Sequence, residues 1–438
     1  MLKNLKSKIL IFLIILLFIC NCLGHANSIG DIDPLPPPKY ANICLECAIS
    51  KRMSVREFNE DPISDEDLST ILWAAYGHRS DGSKTVPKIG VDHSAAIYVF
   101  KEDAIYQYNP EDHSLVFYKD GDFRSRVAQY NAPIQIGIVW DSRICEDENL
   151  TGVEIGAICQ NIQFMATAIN LGTVVTAERP SPLDNVSLPS YHIGKIVMPI
   201  GHPLRPYRFI YRPYLISFLP RIKHSDMPLS MALQNRKEID SPSGNLYRSE
   251  ISQLLWASYG YSYYFDYNIN RINQNNLSPI RRHRTVPSAH GYYPLEILFV
   301  TSNGVYHYNP GLYNPVYGPP VPWIWSFPVI TFIRQIKKGD FRVDVAESTS
   351  NEMIKYSPML IIPVLNIEDT IRWDDLSDPD LAWLWYFEAG AVAHNVILES
   401  TAWDLTGNIE TFNDIFKVKS TLELNDDFLP LLTISVGK

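Results

Sequence analysis

The sequence predicts an internal pseudo-dimer: two copies of one unit, each mixing helices with strands, folded against each other within a single chain. Three observations lead there. Short segments recur in the same order along the chain. Arg284-Thr-Val-Pro-Ser-Ala-His-Gly291 has an imperfect counterpart upstream at Lys84-Thr-Val-Pro-Lys-Ile-Gly90, and Ile71-Leu-Trp-Ala-Ala-Tyr-Gly77 returns as Leu254-Leu-Trp-Ala-Ser-Tyr-Gly260. Tyr106-Gln-Tyr-Asn-Pro110, Gly121-Asp-Phe-Arg124 and Glu154-Ile-Gly-Ala-Ile-Cys-Gln-Asn161 return as Tyr306-His-Tyr-Asn-Pro310, Gly339-Asp-Phe-Arg342 and Glu388-Ala-Gly-Ala-Val-Ala-His-Asn395. The copies number two, which argues against a solenoid, since stacked repeats need at least three units. Finally, 438 residues with 46% hydrophobic and 20% charged content suffice for two ordinary cores.

A net charge of −10 and a pI near 5.6 disfavour nucleic acid as a partner, because phosphate-backbone binding needs a basic face. Any anion site must then be local. Lysines within residues 1–8, an apolar run from Ile9 to Leu23 and Gly24-His-Ala26 form a secretory pattern, so residues 1–26 read as a signal peptide and the folded part as exported and extracytoplasmic. The other reading is an uncleaved anchor, although the run falls short of the ~20 residues a spanning helix needs. Membrane contact is expected only in that case. After cleavage Cys44, Cys47, Cys145 and Cys159 remain. Cys44-Leu-Glu-Cys47 has redox spacing, but no thioredoxin-like strand and helix surround it and no second pair supplies zinc ligands; structural disulfides or inert thiols are expected.

Residues 27–43 contain Pro34-Leu-Pro-Pro-Pro38 and read as an extended, exposed linker. The first copy spans 44–203. An amphipathic helix is expected from Cys44 to Phe58. Ser64 as N-cap with Asp67 at the capping-box position starts another, which runs through Leu68 to Tyr76 and stops at Gly77. Strands are expected at Ala95–Phe100, Ile105–Tyr108, Leu115–Tyr118 and Ile134–Trp140, with Asp122 capping a short helix between the last two. The apolar segment Val153–Leu171 reads as a central helix, in which Glu154, Gln160 and Asn161 are out of place as plain core residues. Thr173–Thr176 and Ile193–Ile200 complete the sheet. Residues 204–229 connect to the second copy, 230–438, which adds an asparagine-rich stretch between Tyr261 and Arg282 and an aromatic one from Gly318 to Pro328. This last stretch is too short to span a bilayer. It reads as a packed surface loop, or as a lid or partner-facing patch around Trp323 and Trp325.

The ordered set R-x-S-x-R-x-F, L-W-A-A-x-G, R-T-V-P-S-A-x-G, Y-x-Y-x-P, D-x-R, E-x-G-A-x-x-Q-N and a closing G-H-P resembles the nitroreductase superfamily, most of all its SagB-type dehydrogenases. The resemblance covers nearly all of the mature chain, once per copy. It implies an α+β fold, two nitroreductase-like α/β/α sandwich repeats forming an intrachain pseudo-dimer, with FMN held in the interface. It further implies that one unit supplies an arginine and serine near its N-terminus to the flavin's phosphate and ribityl side, while the proline-serine loop of the other unit approaches the ring.

Carried onto this chain, the defects of the two copies are complementary. The first keeps Arg52, Ser54 and Arg56 but has Pro87-Lys88-Ile89 in the ring loop; the second keeps Pro287, Ser288, Ala289, His290 and Gly291 but has Arg236, Glu238 and Asp240 in the arginine-serine-arginine set. One composite site is therefore whole. At the other, a phosphate dianion about 4 Å from a carboxylate meets repulsion of several kcal/mol, so one FMN per chain is expected. Arginines give fork-shaped donors to phosphate, Ser54 adds a hydroxyl, and Arg205 or Arg208 adds a further cation. No catalytic acid is compelled; His290 is the one candidate, with a structural histidine as the bland reading. Lys355-Tyr356 resembles a lysine-tyrosine pair of heterocycle-forming relatives. The substrate class is a small molecule or peptide, and the electron donor is left open among NAD(P)H, a quinol and the substrate itself. The competing expectation is a flavin-free pseudoenzyme acting as a binding or assembly module. A hydrolase or metalloenzyme has no H-E-x-x-H, G-x-S-x-G or clustered ligands to rest on.

Overall fold

The computed structural model describes residues 30–90, 92–205, 209–210, 215–265, 282–310, 329–371 and 379–438. The expected signal segment, most of both second-copy additions, Trp323, Trp325 and Arg208 lie outside the described residues. The fold is mixed α and β, built on two large sheets.

In the first half the strands are β1 (Ile32–Pro34), β2 (Ala95–Phe100), β3 (Ala104–Asn109), β4 (Ser114–Asp120), β5 (Ile134–Asp141), β6 (Gly172–Thr173) and β7 (His192–Gly201), in the spatial order β1-β4-β3-β2-β5-β7-β6. The connecting segment supplies β8 (Phe209–Ile210) and β9 (Leu215–Ser217). The second half continues with β10 (Tyr261–Phe265), β11 (Arg282–Arg284), β12 (Leu295–Thr301), β13 (Gly304–Asn309), β14 (Val329–Lys338), β15 (Met359–Asn366), β16 (Thr406–Thr411), β17 (Phe428–Pro430) and β18 (Leu432–Gly437). Its main sheet runs β16-β18-β15-β12-β13-β14-β9. Read from the other edge this is the strand order of the first sheet, with β9 parallel to β14 where β1 is antiparallel to β4. The two halves thus share one architecture.

Strand alternation splits each sheet between two apolar layers. Ile97 and Val99 of β2 point into a core shared by both halves, and Tyr98 and Phe100 into a smaller outer cluster. Ile297 and Phe299 of β12 join the shared core, while Leu298 and Val300 face an outer cluster made of second-half residues. Between the sheets lie two long helices, α3 (Glu148–Ala168) and α6 (Trp383–Ala402), preceded along the chain by α1 (Leu45–Lys51) and α2 (Asp65–Tyr76), and by α4 (Leu229–Gln234) and α5 (Arg248–Tyr259). Both long helices are buried on nearly all sides, as a helix enclosed by apolar layers must be. They cross where glycines remove the side chains: a Cβ on Gly156 would lie 2.0 Å from Phe387 O, and one on Gly390 2.1 Å from Val153 O.

The helix expected from Cys44 to Phe58 ends at Lys51. Arg52 turns extended (φ −54°, ψ 128°), and Val55 N–H donates to Thr173 O at 2.9 Å. The cause is tertiary: the Arg52 side chain is engaged by the other half, as described below. The 27–43 stretch is extended as expected, but Ile32–Pro34 is paired as an edge strand. Residues 204–229 likewise do more than connect, since β8 pairs with β10 and β9 with β14. Cys44 and Cys47 form a disulfide, and Cys145 and Cys159 are buried free thiols. His224 Nδ1 lies 3.3 Å from Cys47 Sγ. Among the described residues no helix is long and apolar enough to cross a membrane.

Candidate functional site

Two of the repeated motifs prove to be parts of one device. Helix α2 starts on Ser64, whose hydroxyl accepts from Asp67 N at 3.1 Å, and ends at Gly77. A Cβ on Gly77 would sit 2.6 Å from Trp73 Cδ1, so only glycine lets the chain turn here; Gly260 has the same contact with Trp256 at 2.5 Å. The turn presents a carbonyl. Gly77 O accepts from Thr85 N at 3.0 Å, and Gly260 O from Thr285 N at 3.1 Å. Helix end and threonine-valine-proline loop are thereby tied together in each half.

Across the seam, an arginine of one half holds the loop of the other. Arg52 Nη2 donates to Arg284 O (2.9 Å) and Val286 O (3.3 Å), and Nη1 to Gln163 Oε1 (3.1 Å). Arg236 Nη2 donates to Lys84 O (3.0 Å) and Val86 O (2.9 Å), and Nη1 to Thr85 O. Both guanidiniums are buried. The polar residues of the central helices complete the lattice: Gln160 Nε2 donates to Thr285 O (2.9 Å) and Asn395 Oδ1 (2.8 Å), and Asn395 Nδ2 to Ala257 O (3.0 Å). His394 replaces glutamine in the second copy. Burial pushes its pKa well below the ordinary value, which keeps the ring neutral, and Nε2–H donates to Asn161 Oδ1 at 2.6 Å.

Arg52 is thus engaged by loop carbonyls. Ser54 is half-buried and Arg56 exposed, with Arg56 Nη1 3.4 Å from Ser54 O. The segment that carries them runs beside the end of β7: Leu204 N donates to Glu57 O at 3.0 Å and Asn59 N to His202 O at 3.0 Å. This backbone pairing puts Arg56 and exposed Arg205 at one edge. In the opposite loop Pro287 is buried, Ser288 and Ala289 are half-buried, and His290 is exposed. His290 (φ 51°) and Gly291 (φ 74°) both lie in the left-handed region, and the His290 ring stacks on Tyr292 with centroids 5.3 Å apart. In the first copy the matching turn is Gly90, φ 64°. Gly90 therefore corresponds to His290, rather than to Gly291 as the bare motif suggests. Lys355 and Tyr356 lie on a short 3-10 turn, with Tyr356 55% exposed. The D-x-R pairs are structural: Arg124 chelates Asp122 and donates to Pro133 O, as Arg342 does with Asp340 and Ser357 O.

The motifs alone did not reveal the residues behind the intact loop. Arg284 Nη1 donates to Tyr259 O at 2.9 Å, and its guanidinium lies over the rings of Tyr259, Tyr261 and Tyr293 at 4.4, 4.9 and 5.1 Å. Glu388 accepts from the Tyr259 hydroxyl. Burial pushes its carboxyl up to about 7, against the pull of Ser288, Tyr259 and Arg284. Its counterpart Glu154 is equally enclosed, yet it lies below the ordinary value. There the burial penalty is outweighed by His93 (2.7 Å), Ser94 N (3.0 Å) and Tyr76 (2.8 Å). The recurring glutamate and tyrosine were the available signal.

At the mirror seam, Glu238 pairs with Arg236. The repulsion expected there from two carboxylates therefore loses one of its two charges.

With this geometry in place, the chain can be set beside known proteins. Residues 49–182 match the sequence profile of the nitroreductase family. A provisionally named nitroreductase of Methanocaldococcus jannaschii is 35% identical over 166 residues, covering 33% of this chain and 84% of that protein. Among solved structures, a provisionally assigned nitroreductase of Anabaena variabilis aligns over 94% of this chain and 92% of its own, with a TM-score of 0.61 at 14% identity; at that identity the likeness speaks for the fold. A provisionally assigned nitroreductase of Desulfovibrio desulfuricans, solved in complex with FMN, covers 39% of this chain and 91% of its own at 21% identity and a TM-score of 0.28. From the extent of the Methanocaldococcus match, this chain belongs to the nitroreductase family.

Proposed function

We propose that the protein is an exported, FMN-dependent oxidoreductase of SagB-type affinity, descended from a tandem duplication, that transfers hydride through one flavin bound between its halves. The observation that supports this best is the Arg52 clamp. It brings the Arg52–Arg56 segment of the first copy against the 284–291 loop of the second, the pairing that the resemblance implies for the one site with both parts intact. The donor set suits the cofactor. Arg56 and Arg205 are exposed cations at one edge, Ser54 supplies a hydroxyl, and at Gly291 an added Cβ would meet nothing nearer than 4.0 Å.

In this reading Arg56 and Arg205 meet the phosphate, Ser54 the ribityl chain, and Pro287, Ser288, Ala289, His290 and Gly291 border the ring. Arg52 stands one step back, as a positioning residue that fixes the loop. Bound FMN supplies the hydride chemistry, which the cofactor and not the protein carries. The chain's own task is orientation. The clamp and the Gln160–Asn395 pair hold the loop backbone rigid, and Glu388, with its raised pKa, is a group able to hold or release a proton behind Ser288 near neutral pH. Export rests on the N-terminal segment. The candidate electron donors are NAD(P)H, a quinol and the organic substrate itself.

The test is the visible spectrum of the mature protein, expressed from about Asn27, with released flavin measured against protein. One FMN per chain is expected, and Arg56→Ala should lose flavin while circular dichroism stays unchanged. A colourless protein that cannot be reconstituted would overturn the reading in favour of the flavin-free binding module.

A further inference from the structure

The symmetry that sets Arg52 against the 284–291 loop creates a second seam, between residues 78–93 of the first copy and 234–239 of the second. Two adjoining cavities of about 390 and 490 Å³ run along it and share Arg79, Asp81, Arg236 and Lys237 as lining. Their size is that of a small-ligand site.

The charges there do not balance. Arg79 pairs with Asp81 at 3.1 Å, Lys88 with Asp92 at 2.8 Å, and Arg236 with Glu238. Lys84 and Lys237 have no ion-pair contact among the described residues, against one carboxylate in the same position, Asp404 at the smaller cavity. Lys84 Nζ lies 4.4 Å from the centre of the Tyr76 ring and 3.4 Å from His78 Nε2, with no carboxylate in ion-pair contact. The Lys237 ammonium makes no hydrogen bond or ion pair among the described residues. Two ammonium groups without an ion-pair contact line one cavity of a chain whose net charge is −10; burial lowers the Lys84 pKa against the more distant pull of Glu111 and Glu154.

The seam has also lost what the other one offers a flavin. Glu238 stands at the place of Ser54, Lys88 at that of Ser288, and buried Ile89 at that of Ala289. We propose that this second seam binds a compact dianion, a phosphate ester or a dicarboxylate, between Lys84 and Lys237, and takes no flavin. The two cations line the cavity from opposite halves, so an occupant would bridge the pseudo-dimer. An anion held by two partly exposed ammonium groups is also expected to be salt-sensitive.

The experiment uses the full mature chain, as purified, titrated with inorganic pyrophosphate and separately with malonate, at ionic strength matched by potassium chloride. Thermal melting and calorimetry are the readouts. A saturable rise in Tm with either probe, absent with chloride, is expected; the stronger of the two identifies the source. Lys237→Met, an exposed change that should not disturb folding, and Lys84→Met should each weaken binding about tenfold, the loss of one charged hydrogen bond, with flavin content unchanged. Three outcomes overturn the proposal: no saturable shift, an equal shift in both variants, or uptake of a second flavin that Lys237→Met blocks. A protein that carries no flavin at all would sink the reading of the first seam and leave this titration intact.

Discussion

Glu154 and Glu388 occupy matching places on the two central helices, yet burial has opposite net results. The cause can be read residue by residue. Glu154 accepts from His93, from Ser94 N and Oγ, and from Ala95 N. In the second copy these places hold Tyr293, Pro294 and Leu295. Proline brings neither N–H nor hydroxyl, and Leu295 N donates to the Tyr259 hydroxyl instead. Glu388 thus stays enclosed with few donors, and its pKa rises from 4.5 to about 7. A carboxyl whose pKa is higher when folded contributes stability that is fully present below the unfolded value and is lost as pH rises through the folded one. Wild type compared with Glu388→Gln should therefore lose stability between pH ~4.5 and ~7, by up to about 3 kcal/mol. Glu154→Gln should show the reverse trend, because a depressed pKa adds stability above the unfolded value that is lost on acidification. Urea denaturation at about pH 5 and pH 8 checks the Glu388 sign, and at about pH 3 and pH 5, spanning the window below the unfolded carboxyl value, the Glu154 sign. Arg52→Lys is the second residue-scale test. An ammonium cannot span the carbonyls of Arg284 and Val286 together with Gln163, and each buried carbonyl left unpaired costs about 1–3 kcal/mol. Amide exchange in residues 285–293 should accelerate in this variant, and that in residues 85–93 in Arg236→Lys.

At the scale of elements, what the sequence disclosed was what neighbouring residues decide. Helix α2 could be read from Ser64, Asp67 and Gly77 because cap and stop lie within the element. The helix expected to reach Phe58 failed for the opposite reason: Arg52 is drawn out of helical geometry by carbonyls more than two hundred residues away along the chain, and no local pattern records that. The edge strands β1 and β9 were missed likewise, since three residues cannot show an alternation. For the site, the polar residues flagged on the Val153–Leu171 helix do carry the lattice beneath the loops. The pairing of an arginine with the opposite loop is present in both seams, so it does not depend on the losses that the copies divide between them. Lys84 and Lys237 were not visible in the sequence, because a charge without an ion-pair contact is defined only by what surrounds it. The crossing of α3 and α6 yields the prediction proper to this scale. A methyl at Gly156 would strike Phe387 O, and one at Gly390 would strike Val153 O. Backbone faces backbone there, so no side chain can swing aside. Gly156→Ala or Gly390→Ala should cost about 3 kcal/mol or more, the upper end for overpacking, read as a lowered urea midpoint with an unchanged slope.

For the whole molecule, the question is whether two similar halves make two folding units. The contacts say they do not. One core takes residues from both sheets, and the helices at its centre are buried mostly against each other. The first half's α1 begins with Leu45 N donating to Met227 O, and the second half's α4 begins with Leu229 N donating to Ile43 O; each half therefore supplies partners that the other needs at its own helix starts. Expressed alone, residues 30–203 would expose the apolar face of α3 and leave Gln160 without Thr285 and Asn395 and Asn161 without His394. The expected result is an aggregated or self-paired product. Co-expression with residues 204–438 should return a soluble heterodimer that melts at a concentration-dependent temperature, since linking the halves is what removes that dependence. Two halves that each fold as stable monomers would contradict the shared core. The two seams of this one core differ at matching places: Ser288 has Lys88 as its counterpart, and Ser54 has Glu238. The linked chain is therefore expected to show a single melting transition carrying both seams, with ligands of either seam raising the same Tm.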